Sequence, residues 1–231
     1  MESNYKRHLI LSASVVIAGI ILSGPPMVLL IEQFRPQPDW VDVRTFQSNF
    51  SRIQTLPFWF GFVLLTGNVY FVASTCRLPG FVNRISSKLA IICVSIYGAI
   101  IFSNYAIQTT VVPSMTARNN ELVEFLTMVN PHSISWTLEM FGYAVLGVAY
   151  WLVSGAFSGN RKLTVLRWML IINGIISVAG VFLPVISPEL LLESGGIASY
   201  VIWNLLIVSI MVLVIISYSE KDYNNSKEGN R

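Results

Sequence analysis

Six long apolar segments, separated by short polar stretches, make up most of this chain. They cover residues 9–31, 56–76, 89–112, 134–157, 163–187 and 197–218. A membrane core about 30 Å thick is crossed by roughly 20 helical residues, and each segment reaches that length. Runs such as LLIVSIMVLVII at 205–216 lack the alternation of a membrane β-barrel. The pattern therefore predicts an all-α polytopic transmembrane helix bundle, with six helices forming one domain over residues 1–219.

The first apolar segment must be distinguished from a cleavable signal peptide, because Lys6 and Arg7 precede it. It is longer than a typical signal core, and no small-x-small cleavage motif precedes Gly24-Pro25-Pro26. We therefore expect a retained first helix. The two prolines remove backbone donors, so the helix is expected to bend or end there.

Two of the connecting loops contain amphipathic stretches. In 41–54, apolar residues recur at helical spacing on one face: Val43, Phe46, Phe50 and Ile53. In 119–130, Asn119 or Asn120 is suited to cap a short helix that carries Leu122, Phe125 and Leu126. Both helices are expected at the outer membrane surface, either packing on the bundle or forming a functional lid. The polar residues 220–231 predict a disordered cytoplasmic tail.

The distribution of basic residues predicts the orientation. With the N-terminus inside and six alternating helices, eleven Lys and Arg residues fall in inner segments and four in outer loops. The positive-inside rule then places both termini in the cytoplasm of a cell-membrane protein. Loops 32–55, 113–133 and 188–196 are expected outside. The chain is 54% apolar and 12% charged, with a net charge of +3 that follows from this topology, and nothing predicts nucleic-acid binding.

One acidic residue, Glu139, interrupts the fourth apolar segment. Residues 134–157 contain no other charged side chain. Inserting a carboxylate at the centre of a membrane helix costs about 2.5–3.5 kcal/mol, so such residues commonly have a partner or a function. His132, Ser135 and Tyr143 share its helical stripe, because they lie seven before, four before and four after it.

Polar residues on two further helices are expected at the same depth as Glu139. The third helix carries Asn104 and Gln108 four residues apart, and the sixth carries Asn204 four residues after Tyr200. Counted from the outer boundary, all fall in the outer part of the membrane. The sequence thus predicts a shared polar cavity, open to the outside, whose ligand-binding residues are Glu139, His132, Asn104, Gln108, Asn204 and Tyr143.

An equally available interpretation is structural. Asn and Gln side chains in membrane helices often form interhelical hydrogen bonds worth about 0.6 kcal/mol each, and Glu139 could belong to such a cluster. Asn68 and Asn173 lie at other depths and are expected to serve helix packing. The small residues Ser95, Ala99 and Ser103, spaced by four, are expected at a close contact between helices.

Known catalytic and metal-binding patterns are missing from the sequence. His132 and Glu139 offer only two ligands, and Cys76 and Cys93 are expected near the opposite membrane surface, so no metal site is predicted. The chain has no G-x-S-x-G, H-E-x-x-H, Walker A or dinucleotide motif. No cofactor is predicted, and the catalytic residues of any activity are unknown.

One group of residues resembles a known family. Asn130-Pro131-His132, Leu138-Glu139 and Gly142-Tyr143, preceded by Gln108-x-Thr110-Val111-Val112, resemble a pattern in small six-helix integral membrane proteins of bacteria and archaea. The resemblance covers about the middle third of the chain. It implies a family without assigned chemistry, and it places His132 and Glu139 in that family's pattern.

Three functions from different classes fit the sequence. The first is binding of a small molecule or lipid in the outer polar cavity, with membrane lipids as further partners. The second is proton-coupled transport with Glu139 as the carrier, although transporters usually show polar residues through the whole membrane and an internal repeat. The third is an intramembrane enzyme that uses Glu139 and His132 as acid and base on a lipid or isoprenoid. We rank binding first, transport second and catalysis third.

Overall fold

The computed structural model describes residues 2–182, 186 and 194–228, with side chains over 4–182, 186 and 196–219. Within that part, six stretches are helical, long enough and apolar enough to cross a membrane: Asn4–Phe34, Arg52–Cys76, Ile85–Ala117, Ile134–Ala156, Arg161–Gly180 and Gly196–Ser219. The predicted six-helix bundle is confirmed. The protein is a multi-pass membrane protein.

Nine α-helices form the described chain. In order they are α1 (Glu2–Ser23), α2 (Pro25–Phe34), α3 (Val43–Asn49), α4 (Leu56–Cys76), α5 (Ile85–Ala106), α6 (Val112–Ala117), α7 (Ile134–Val153), α8 (Arg161–Gly180) and α9 (Ser194–Glu228). A π-helical turn at Ile107–Val111 joins α5 to α6, and short 3-10 turns cover Arg52–Thr55, Glu121–Phe125 and Ser154–Ala156. As predicted, the first span breaks at Gly24, and α2 starts at Pro25.

The six long helices are arranged as a closed ring. Each packs against its neighbour in the chain, from α1 through α4, α5, α7 and α8 to α9, and α9 packs back on α1. Helices α4 and α7 also touch each other. Successive spans alternate in direction. Residues 77–84 and 157–160 therefore lie on one membrane side, here called the basic face, and residues 35–55 and 118–133 lie on the other, the loop face.

Glycines permit the closest approaches between helices. A Cβ added at Gly19 of α1 would lie 2.5 Å from the Cα of Leu64 on α4, and one at Gly147 of α7 would lie 2.5 Å from the Cβ of Ser177 on α8. Small residues at such crossings let the backbones pack together. The predicted contact at Ser95, Ala99 and Ser103 is wrong, because all three side chains are exposed.

Both amphipathic loop stretches differ in detail from the prediction. The first is not one helix: α3 ends at Asn49, Phe50 is extended, and a 3-10 turn begins at Arg52. A reciprocal pair of hydrogen bonds between Ser51 and Gln54 starts that new turn. In the second stretch, the side chain of Asn120 accepts from the backbone N–H of Leu122, as predicted for the start of a helix. The helix itself is a 3-10 turn and not an α-helix.

Two further expectations concern the end of the chain. The backbone of α9 continues as helix to Glu228, so the disordered tail predicted for 220–231 is corrected over residues 220–228. No proline or glycine lies between Gly196 and Gly229, so no helix breaker interrupts this stretch. The predicted end of the fifth helix at 187 and most of loop 188–196 lie outside the described residues.

Candidate functional site

Glu139 lies in the second turn of α7, close to the loop face. The helix is started by Ser133, whose hydroxyl accepts a hydrogen bond from the backbone N–H of Trp136 at 3.3 Å. This capping satisfies one of the free N–H groups of the first turn. The hydrogen bond between Trp136 and Ser133 thus fixes where α7 begins and how deep Glu139 lies.

The Glu139 carboxyl is held by two neighbouring residues of α5. Asn104 Nδ2 donates to Oε2 at 2.8 Å, and the Tyr105 hydroxyl donates to Oε1 at 3.0 Å. Asn104 is fully buried and Tyr105 is 5% exposed, whereas Glu139 is only half-buried. Both donors are uncharged. They orient the carboxyl without neutralising it.

Tyr143 extends this arrangement one turn further into the membrane. Its hydroxyl lies 3.1 Å from that of Tyr105, and the ring packs edge-on against Trp203 of α9 with centroids 5.0 Å apart. Helices α5, α7 and α9 therefore meet around one row of polar groups. The row runs from Asn104 through Glu139 and Tyr105 to Tyr143.

Gln108 connects the neighbouring polar groups to the loop between α6 and α7. Its Nε2 donates to the carbonyl of Leu126 at 2.7 Å and to the Ser135 hydroxyl at 2.9 Å. Its Oε1 accepts from the backbone N–H of Met128 at 3.0 Å. Gln108 is 3% exposed. It therefore anchors the loop and makes no described bond to Glu139.

The loop-face segments form a packed cap over this region. We use "cap" for α3 together with residues 120–130. Phe46 and Val123 of the cap are buried against Val112 of α6, and the three form one apolar cluster. Gln47 Nε2 donates to the carbonyl of Asn120 at 3.1 Å and joins the two segments. Val123 replaces the predicted Leu122 and Phe125 as the buried residue of its turn, because the 3-10 geometry leaves those two exposed.

A π-helical turn follows directly after the two donors to Glu139. It covers Ile107–Val111 and so includes Gln108. Such turns are rare within α-helices and frequently occur at functional sites. Two threonine hydroxyls bond back to carbonyls of the preceding turn, Thr109 to Tyr105 at 2.8 Å and Thr110 to Ala106 at 2.6 Å. The irregularity thus coincides with the polar region of α5.

The remaining predicted site residues lie in different surroundings. His132 is exposed and precedes α7, where its backbone N–H donates to the side chain of Asn130 at 3.0 Å. Asn204 is buried, and its amide donates to the carbonyl of Tyr200 within α9 at 2.8 Å. Of the predicted set, the described hydrogen bonds join Glu139 to Asn104 directly and to Tyr143 through Tyr105.

A second polar group lies deeper in the ring. Asn68 of α4 donates to the Tyr97 hydroxyl at 3.1 Å and accepts from the Tyr150 hydroxyl at 2.6 Å. All three residues are buried. The Tyr97 and Tyr143 rings lie 5.6 Å apart, so the two polar groups are neighbours.

Toward the basic face, the interior of the ring is filled by large apolar side chains. Phe71 of α4 packs edge-on against Tyr150 at 5.7 Å and stacks on Phe157 at 6.5 Å. Phe71, Val153 and Phe157 are all fully buried. The second polar group, formed by Asn68, Tyr97 and Tyr150, therefore lies between the row at Glu139 and this apolar region.

Sequence reasoning missed Tyr105, the second donor to Glu139. Its sequence signal was modest: a tyrosine inside an apolar helix usually needs a partner for its hydroxyl when buried. Asn68 was expected to serve packing only, and its two tyrosine partners were not identified. In the described part of the chain, no three His, Cys, Asp or Glu side chains lie close enough to hold a metal ion.

Comparisons of this chain with protein-family models, with curated proteins and with solved structures find no match.

Proposed function

We propose that this membrane protein binds a small amphiphilic molecule, a lipid or a compound of similar character, through the carboxyl of Glu139. One observation carries the proposal: the Glu139 side chain is half-buried, and its carboxyl is held by two uncharged donors, Asn104 and Tyr105. A carboxylate in this setting keeps its capacity to accept from a charged or polar donor. An intramembrane acid is by default a candidate functional group.

The chemistry around Glu139 favours a ligand with a hydrogen-bond donor, such as an amine. Asn104 is fully buried, and within the described residues its Oδ1 has no hydrogen-bond partner. Buried polar atoms without partners are uncommon, and each needs an explanation. Tyr143, one turn further along α7, and Trp203, which packs on its ring, supply an apolar surface for the ligand's hydrocarbon part.

The cap supports a binding function in which it closes over a ligand at the Glu139 carboxyl. Gln108 is hydrogen-bonded to the backbone of Leu126 and Met128. The cap is therefore attached to the end of α5, the helix whose side chains donate to the Glu139 carboxyl. A ligand at the carboxyl would be covered from the loop face by these residues. The π-helical turn at Ile107–Val111 provides a place where α5 can adjust.

We further propose that the loop face is extracellular and that both termini are cytoplasmic, in the cell membrane. The excess of Lys and Arg on the basic face supports this orientation. Membership in the family of small six-helix membrane proteins of bacteria and archaea also remains a proposal, supported by the motif around His132 and Glu139.

Proton-coupled transport is the second candidate function. The hydroxyl row from Glu139 through Tyr105 to Tyr143 favours it, because such groups can relay protons. The filled interior around Phe71 and Phe157 opposes it, since transport needs a route to the basic face. Catalysis has less support: His132 is exposed and precedes α7, whereas Glu139 lies in its second turn.

The proposal can be tested with octylamine as the probe. Added to purified protein in detergent, octylamine should raise the melting temperature of the wild type more than octanol does. Glu139→Gln should abolish the difference between the two compounds. Glu121→Gln, which removes an exposed acid on the loop face, should keep it. Equal shifts from both compounds in the wild type would contradict the proposal.

A reaction with an apolar carbodiimide provides a second test. Such reagents modify protonated carboxyl groups that can be reached from the membrane. Mass spectrometry of peptides should find the adduct on Glu139, and prior incubation with octylamine should reduce it. A Glu139 carboxyl that does not react even in acidic buffer, where carboxyl groups are protonated, would mean a sealed structural cluster.

A further inference from the structure

A groove on the basic face lies far from Glu139. It has a volume of about 420 Å³ and lies between α5, α7 and α8. Val148, Trp151 and Ile171 form an apolar wall, and Arg167 and Ser86 provide polar groups. Its volume is within the usual range for small-molecule sites, roughly 300–1,000 Å³.

The position of Arg167 gives the groove its chemistry. Arg167 lies in the second turn of α8, near the basic face, and its side chain is exposed. Within the described residues, no hydrogen bond or ion pair joins its guanidinium to another side chain. A guanidinium suits phosphate because it can donate two parallel hydrogen bonds.

Other residues near Arg167 also suit a phospholipid. Ser86 lies in the first turn of α5, where free backbone N–H groups favour anions. Trp151 is 49% exposed and Trp168 is 58% exposed, as is usual for tryptophans at a membrane interface.

We infer that this groove binds an anionic phospholipid of the adjacent leaflet. The phosphate would contact Arg167, and an acyl chain would lie along Val148, Trp151 and Ile171. Basic pockets between membrane helices are known to take such headgroups. The charge complementarity selects an anionic lipid over a zwitterionic one. This site is independent of Glu139 and of the function proposed for it.

The experiment compares two lipids with identical acyl chains. Delipidated protein in a nonionic detergent is titrated with dioleoyl phosphatidylglycerol or dioleoyl phosphatidylcholine, and Kd is obtained from the shift in melting temperature. Phosphatidylglycerol should bind the wild type at least about tenfold more tightly, a factor that corresponds to about 1.4 kcal/mol. Glycerol 3-phosphate should not substitute for it, because it lacks the acyl chains.

Matched variants on one helix locate the effect. Arg167→Gln should remove the preference for phosphatidylglycerol, whereas Arg161→Gln, an exposed residue outside the groove lining, should retain it. Arg167 is exposed, so its replacement should leave the melting temperature without lipid unchanged. An equal loss in both variants would indicate diffuse surface attraction and overturn the site. A preference that survives in Arg167→Gln would also overturn it.

Discussion

Asn104 Nδ2 lies 2.8 Å from Oε2 of Glu139 and joins α5 to α7 inside the membrane-spanning region. The same nitrogen lies 3.2 Å from the backbone carbonyl of Ser135, one turn earlier on α7. One buried amide therefore contacts two successive turns of its neighbour. Glu139 is thereby part of the helix packing as well as the candidate ligand group.

Two substitutions of Glu139 separate these roles. Glu139→Leu removes the acceptors of Asn104 and Tyr105, so we expect it to lower the free energy of unfolding by about 1–3 kcal/mol per buried group left unsatisfied. Glu139→Gln keeps one acceptor oxygen and the side-chain size, so its loss should be smaller. Melting temperatures in detergent measure both. A leucine variant as stable as the wild type would show that the two hydrogen bonds contribute nothing.

Gly61 of α4 controls the position of Tyr105. A Cβ added there would lie 2.4 Å from Cε2 of the Tyr105 ring, which must then move. We expect Gly61→Ala to weaken the bond from the Tyr105 hydroxyl to Glu139 and to increase carbodiimide modification of Glu139, as Tyr105→Phe should. Gly98→Ala is the control, because its nearest neighbour would be Val69 Cγ2 at 3.7 Å. Unchanged modification in Gly61→Ala would contradict this role.

The sequence predicted the six spans because apolar length is itself the physical requirement for crossing a membrane. It also predicted that Glu139 meets the third span, where Asn104 lies. Tyr105 was missed because adjacent helical residues point about 100° apart. Here the rotation of α5 lets both reach Glu139, and that rotation depends on packing against α4 and α7.

The helix contacts could not be predicted with equal success. Lipid-facing and protein-facing sides of a membrane helix are both apolar, so small residues such as Ser95 and Ala99 look alike in either place. The structure places Gly19 and Gly147 at the close crossings and leaves Ser95 exposed. The cap was predicted only as separate amphipathic stretches, because contacts such as Gln47 with Asn120 join residues far apart in the sequence.

The crossing of α1 and α4 predicts a strong effect of one methyl group. A Cβ at Gly19 would meet the backbone of Leu64, with 2.5 Å to Cα and 2.7 Å to N. Backbone atoms cannot rotate away, so the helices must separate. We expect Gly19→Ala to lower the free energy of unfolding by about 1–3 kcal/mol, as overpacking usually does. Gly98→Ala should stay close to the wild type in the same melting assay.

Asp42 makes the start of α3 sensitive to acid. Its carboxylate accepts from the backbone N–H of Thr45 at 2.7 Å, and this bond lowers the pKa of Asp42. Because the pKa of Asp42 is lower in the folded state, its carboxylate stabilises the helix at pH values above its unfolded-state pKa of about 3.9. That contribution is lost as the pH falls through the lowered pKa. Amide hydrogen exchange over 43–49, corrected for intrinsic rates, should therefore accelerate in acid, and Asp42→Ala should remove this dependence.

The proposed orientation can be tested with single cysteines. In a background without Cys76 and Cys93, an impermeant thiol reagent applied to intact cells should label Ser48→Cys and Arg118→Cys, both exposed on the loop face. Asn83→Cys and Ser158→Cys, exposed on the basic face, should be labelled only after the membrane is permeabilised. These two positions lie in loops with an excess of Lys and Arg, and by the positive-inside rule such loops stay in the cytoplasm. The reverse pattern would place the cap and the Glu139 region on the cytoplasmic side, and any ligand would then have to reach the carboxyl from inside the cell.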